Sequence, residues 1–109
     1  MINSRLSLQQ ELENILGSKN VYFQPPDTVK MKYPCITYKL SEIPEKHADN
    51  EGYISHYCYT LTLIDQDPDT CFVDKIKKLR YTKFVKQFST QGLNHYVFNL
   101  NYKYEKEIN

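Results

Sequence analysis

The chain has 109 residues, enough for one domain spanning 1–109 that withdraws about two thirds of its extended-chain surface from water and so holds a core unaided. Lys and Arg number 14 against 13 Asp and Glu, a formal net charge of +1, which excludes a bulk electrostatic drive toward nucleic acid or an anionic membrane. No apolar run approaches the ~20 residues of a membrane span, and residues 1–17 carry charge and glutamine where a secretion signal would be apolar, so the expected place of synthesis is the cytoplasm.

The first element is a helix. Ser7 can cap it with Gln10 three positions on, Leu8, Leu12, Ile15 and Leu16 share one face, and Gly17 ends it. A short extended piece over residues 21–24 runs into Pro25 and Pro26, which stop any helix and predict a loop through Val29. After Pro34 a strand covers residues 35–40. The connection over residues 41–52, SEIPEKHADNEG, is too long for a tight hairpin turn and too polar to bury, so it is expected to project from the sheet.

The strand over residues 53–64 alternates. Tyr57, Tyr59, Leu61 and Leu63 share one face, and His56, Cys58, Thr60 and Thr62 the other. Asp67 as cap and Pro68 at the first helical position predict a second helix with Phe72, Val73, Ile76 and Leu79 as its apolar stripe. Its aspartates stand toward the N-terminal end and Lys77, Lys78 and Arg80 toward the C-terminal end, as the helix dipole favours. A final hairpin pairs residues 81–88 with 93–104 through a turn containing Gly92. In its second strand Tyr96, Phe98, Leu100, Tyr102 and Tyr104 alternate with Val97, Asn99, Asn101 and Lys103. The expected fold class is α+β, an antiparallel sheet of about four to five strands packed with two helices, with a long hairpin loop projecting.

Little in the chain is catalytic. Asp65, Asp67 and Asp69 resemble the opening of a calcium loop, but Thr70 stands where glycine is required and Ile76 where a bidentate glutamate belongs. His47, His56 and His95 show no metal-ligand spacing, and Cys35, Cys58 and Cys71 are odd in number without a C-x-x-C pair, which points to free thiols rather than a disulfide framework or zinc site. No nucleophile-elbow, zinc-protease or phosphate-loop motif occurs, and three glycines leave little material for a phosphate cradle. Neither enzymatic activity nor a metal or cofactor is expected. The basic cluster Lys75, Lys77, Lys78, Arg80, Lys83 and Lys86, with Phe84 and Phe88, supports an alternative reading, a small nucleic-acid-binding module that tracks phosphates and stacks bases. Ten tyrosines and no tryptophan suit half-buried sheet faces and interfaces.

Four segments in order, YPCITYKL, HADNEGYI, TLIDQDPDT and GLNHYVFNLNY, resemble the tail terminator and tail-to-head joining proteins, the small tail-completion proteins of long-tailed bacteriophages. The resemblance runs from about Tyr33 to Tyr102, and the N-terminal helix matches only in kind. It implies a virion structural protein that forms a homo-oligomeric ring, commonly a hexamer, at the head-proximal end of the tail. That ring would stop the tail tube, dock on the head–tail connector protein, or do both, with the tail tube protein as a second partner and DNA passing the lumen without specific binding. Its place would be the virion, at the head–tail interface, with no membrane association. On this reading the long loop makes inter-subunit or tube contacts through Glu42, Glu45, His47, Asp49, Asn50 and Glu51, with Tyr53 anchoring its base; alternatively its carboxylates line the lumen and keep DNA from adhering.

Overall fold

The computed structural model describes residues 4–26, 28–42, 54–79 and 81–105. In chain order the elements are α1 (Ser4–Leu16), β1 (Val21–Phe23), β2 (Cys35–Glu42), β3 (Ile54–Asp65), α2 (Phe72–Lys77), β4 (Thr82–Thr90) and β5 (Leu93–Glu105). The five strands form one sheet in the order β1-β2-β3-β5-β4, and both helices pack on one of its faces, an α+β architecture. All neighbours run antiparallel except β1, which pairs parallel with β2.

A parallel pair of adjacent strands needs a crossover, because the chain must return to the starting end before the second strand begins. Here residues 24–34 make that return across the face opposite the helices, where Pro25, Pro26, Val29 and Met31 face Thr37, Thr60, Thr62 and Ile64. The second crossover is α2, which carries the chain from β3 to β4, two parallel strands with β5 lying between them.

The core follows the alternation. Register places Ile36, Leu63 and Tyr96 in one row across β2, β3 and β5, Tyr38, Leu61 and Phe98 in the next, and Leu40, Tyr59 and Leu100 in the third. Most of these side chains are fully buried against Leu8, Leu12 and Leu16 of α1 and Ile76 of α2, with Phe72, Val73 and Leu79 packed at the margin. Each fully buried aliphatic side chain contributes about 1.5–3 kcal/mol. The periodicities of 3.6 in the helices and 2 in the strands therefore meet on one surface.

Buried tyrosine needs a partner for its hydroxyl, and Tyr38 finds one in the helix above it. Its Oη donates to Gln9 Oε1 at 2.6 Å, while Gln9 Nε2 donates to the Val21 carbonyl at 3.0 Å and to Glu13 Oε2 at 3.0 Å. One glutamine thus ties α1 to β2 and to β1. Burial, opposed by nearby Arg5, raises the Tyr38 phenol above its ordinary value.

Two helix starts differ from expectation. α1 begins at Ser4, one turn before the predicted cap Ser7. α2 begins at Phe72 with Cys71 in the cap position and no side-chain cap bond, and Asp67 serves instead in a run of local turns. Asp65 Oδ1 accepts from the Asp67 N–H at 3.0 Å, Asp67 Oδ1 from the Asp69 N–H at 2.9 Å, and Thr70 Oγ1 from the Phe72 N–H at 3.3 Å. Each carboxylate satisfies a backbone donor two residues on, which holds the chain in turns rather than a helix. Gly17 closes α1 as predicted, its φ of 74° in the left-handed region and its N–H on the Glu13 carbonyl at 2.8 Å.

Candidate interaction surfaces

Three surfaces of this fold lie outside the core. The first is an arm. Pairing between β2 and β3 ends at Glu42 opposite Cys58, yet β3 and β5 go on together, from Tyr57 opposite Tyr102 to Ile54 opposite Glu105. At about 3.3 Å per residue this two-stranded ribbon adds roughly 13 Å beyond the last β2 pair. The domain accordingly measures 50 × 24 × 23 Å. Of the predicted interface residues, Glu42 is the last residue of β2, while Glu45, His47, Asp49, Asn50, Glu51 and Tyr53 lie outside the described residues.

The second surface is the edge strand β4, exposed along its length except for its first residue. Tyr81, Phe84, Val85 and Phe88 present 52, 43, 46 and 41 % of their surface to solvent. The β4–β5 register shifts between Phe84 and Lys86, so Val85 is an extra residue, a β-bulge. The shift reverses which residues face which way. Phe84 packs edge-on against Phe98 on the helix side, centroids 5.6 Å apart, whereas Phe88 stacks flat on His95 of the opposite face, centroids 4.6 Å apart and planes at 9°. Lys86 Nζ stands 5.6 Å from the Phe88 centroid. The hairpin turn itself, Gln91 and Gly92, has φ of 53° and 76°, the two positive values of a type I′ turn.

The fold divides the predicted basic cluster. Lys75, Lys77 and Lys78 belong to α2 and its end on the helix face; Lys83 and Lys86 share register with Asn99 and Val97 and so project from the other face. Arg80 lies outside the described residues. A single phosphate track over this cluster, with Phe84 and Phe88 as one stacking platform, is not what the register brings together.

The third surface is a groove of about 610 Å³ between the 24–34 crossover and the back of β2 and β3, its floor made by Thr37, Thr60, Thr62 and Ile64. Next to it the same face is closed by Cys35, Ile64 and Val97, all buried. Burial first, and the Asp65 carboxylate second, push the Cys35 thiol up to about 12. Tyr96 is also raised, by desolvation and by Asp65, Asp67 and Asp69, and its hydroxyl donates to the Pro68 carbonyl at 3.1 Å.

These positions predict a graded thiol chemistry. Cys71 is exposed, Cys58 half-buried and Cys35 fully buried. Alkylation at neutral pH is expected to label Cys71 fastest and Cys35 only on unfolding, because the thiolate is the nucleophile and Cys35 is held protonated. The pH dependence has a definite sign. Below pH 9 folded and unfolded chains both keep this proton; between 9 and about 12 only the unfolded chain releases it, so stability falls through that window. Urea midpoints measured between pH 8 and 10 should decline less steeply in Cys35→Ala than in the parent, and equal slopes would refute the assignment.

Among the described residues no three His, Cys, Asp or Glu side chains converge as a metal site. His95 Nδ1 is buried with no hydrogen-bond partner among the described residues, and His56 pairs with Lys103 in the ribbon. No helix is long and apolar enough to cross a membrane among the described residues. Comparison with protein-family models, with curated proteins and with solved structures gives no match.

Of the loop expected over residues 41–52, residues 41 and 42 belong to β2 and the rest lies outside the described residues; the ribbon of β3 and β5 and the bulge in β4 were not legible in the sequence. The sequence shows Phe84 and Phe88 four residues apart; only the register of β4 on β5 reveals the residue inserted between them.

Proposed function

We propose that this protein is a structural subunit of a bacteriophage tail, a ring-forming tail-completion protein that terminates the tail tube, joins the tail to the head connector, or does both. It works by fitting its surface to copies of itself and to the tube, with no bond made or broken. The observation that carries the reading is the ribbon of β3 and β5, which runs on past the last pair of β2 with β3. A closed ring requires heterologous contacts, one patch of a subunit on a different patch of its neighbour, and an arm that extends beyond its own core is suited to supply one side of such a contact. Two of the segments that carry the resemblance to tail-completion proteins run into that arm, HADNEGYI ending at Ile54 and GLNHYVFNLNY at Tyr102.

The ring is expected to be a hexamer of this chain at the head-proximal end of the tail, within the virion. The tail tube protein would meet one face and the head–tail connector the other. Carboxylates of the arm loop, Glu42, Glu45, Asp49 and Glu51, would repel DNA passing the lumen. Native mass of the full chain, alone and with tail tube protein, is expected to show a multiple of the chain that persists on the tube. Disrupting the gene separates the two roles: tails of uncontrolled length mark a terminator, and normal tails that never attach to heads mark a joining protein. Normal particles after disruption would sink the proposal, as would nucleic-acid binding that weakens steeply with salt and requires Lys77 and Lys78.

A further inference from the structure

The two edges of the sheet are unlike. β1 is three residues long and followed by Pro25 and Pro26, and one of its outward carbonyls, Val21, is already taken by Gln9. Short strands, prolines and covering side chains are how sheets close an edge to further pairing. β4 has nine residues and no such cover among the described residues.

Its free backbone groups can be assigned. The Asn101 N–H donates to the Tyr81 carbonyl at 3.1 Å, so Tyr81 and Asn101 are a hydrogen-bonded pair of the antiparallel ladder. Alternation then turns Thr82 and Phe84 outward, and on the far side of the bulge, where Lys86 pairs with Val97 and Phe88 with His95, it turns Gln87 and Ser89 outward. Between outward-facing Phe84 and Gln87 lie two residues instead of one. A regular strand, which presents a backbone pair at every second residue, can follow β4 only on one side of Val85.

One strand matches the irregular step throughout: β4 of a second copy, running antiparallel, which carries the same three-residue step in reverse. We propose that β4 pairs with β4 of a second copy about a two-fold axis between Val85 and Lys86, joining two five-stranded sheets into one. Thr82 then stands opposite Ser89 of the second copy, Phe84 opposite Gln87, and Lys83 opposite Phe88, each matched in face. Outward backbone groups meet outward backbone groups at every step, and no lysine lies directly opposite a lysine. The helix faces of the two copies become continuous, covering Phe84. An isologous contact of this kind closes on two copies and does not build a ring, so it is separate from the arm contact and stands or falls without it.

The test uses the full chain. Native mass over a concentration series is expected to move to twice the 13.0 kDa of one chain. Association is expected to tighten as salt is raised, because Lys83 and Lys86 of both copies gather on one face near the axis and salt screens their repulsion. Gln87→Pro removes an N–H that β5 does not use, so it should leave the monomer folded and abolish the dimer. Register is read in a background of Cys58→Ser and Cys71→Ser: Lys83→Cys mixed with Phe88→Cys should cross-link on oxidation, and neither alone. This pair decides the matter even where Gln87→Pro fails to fold. A chain monomeric at every concentration, cross-linking of Lys83→Cys to itself, or a larger assembly indifferent to Gln87→Pro would overturn the pairing. The last of these would leave the ring standing.

Discussion

Phe98→Ala is expected to cost about 3–5 kcal/mol, the range for deleting a buried aromatic ring from a packed core. Against a total stability of about 5–15 kcal/mol for a domain, that loss removes much of the folded population. The size follows from position. Phe98 is fully buried in β5, which lies between β3 and β4, opposite Leu61 of β3 and edge-on to Phe84 of β4. No neighbouring side chain can collapse into its place without shifting a strand, so most of the cavity would remain. Phe88→Ala is the matched control. That ring is 41 % exposed and rests on His95 alone among aromatic neighbours described, so its removal should cost less than about 1 kcal/mol. Urea midpoints of the two variants with unchanged slope decide it; equal losses would mean that β4 and β5 do not pack as described.

The contrast also explains what the sequence made legible. Where one periodicity runs unbroken and one face is buried, as in Tyr59, Leu61 and Leu63 or in Leu8, Leu12 and Leu16, the pattern alone identifies strand, helix and core face. It fails where two structures share a signature. Asp67 followed by Pro68 reads as a helix cap and first turn, yet carboxylates that bond the N–H two residues on make turns equally well, and the Tyr96 hydroxyl on the Pro68 carbonyl holds the turn in place. Strand direction is absent from the pattern as well. A three-residue strand such as β1 pairs either way, and the eleven residues of the crossover, not its own side chains, decide for parallel. The bulge is the clearest case: Val85 adds one residue without adding any residue type that signals a bulge, since no glycine marks it.

Deleting residues 44–50 is expected to leave a folded chain that no longer forms rings or completes particles. Chain length permits the deletion. Residue 43 and residues 51–53 remain between Glu42 and Ile54, and four residues bridge roughly 17 Å when extended, against roughly 14 Å needed to pass four ribbon residues and one strand spacing. The retained Gly52 favours a turn there. Nothing in the core rows of β2, β3 and β5 depends on the removed segment, because the last pair of β2 with β3 is Glu42 with Cys58. Thermal unfolding should therefore shift little, while native mass with tail tube protein should fall to that of the unassembled chain. Glu45, His47, Asp49 and Asn50 leave together in this variant, and Tyr53→Ala in the intact loop separates the anchoring ring from the polar contacts. If the deleted protein still completes infectious particles, the 43–53 connection does not make the ring, and the function proposed for it goes with it.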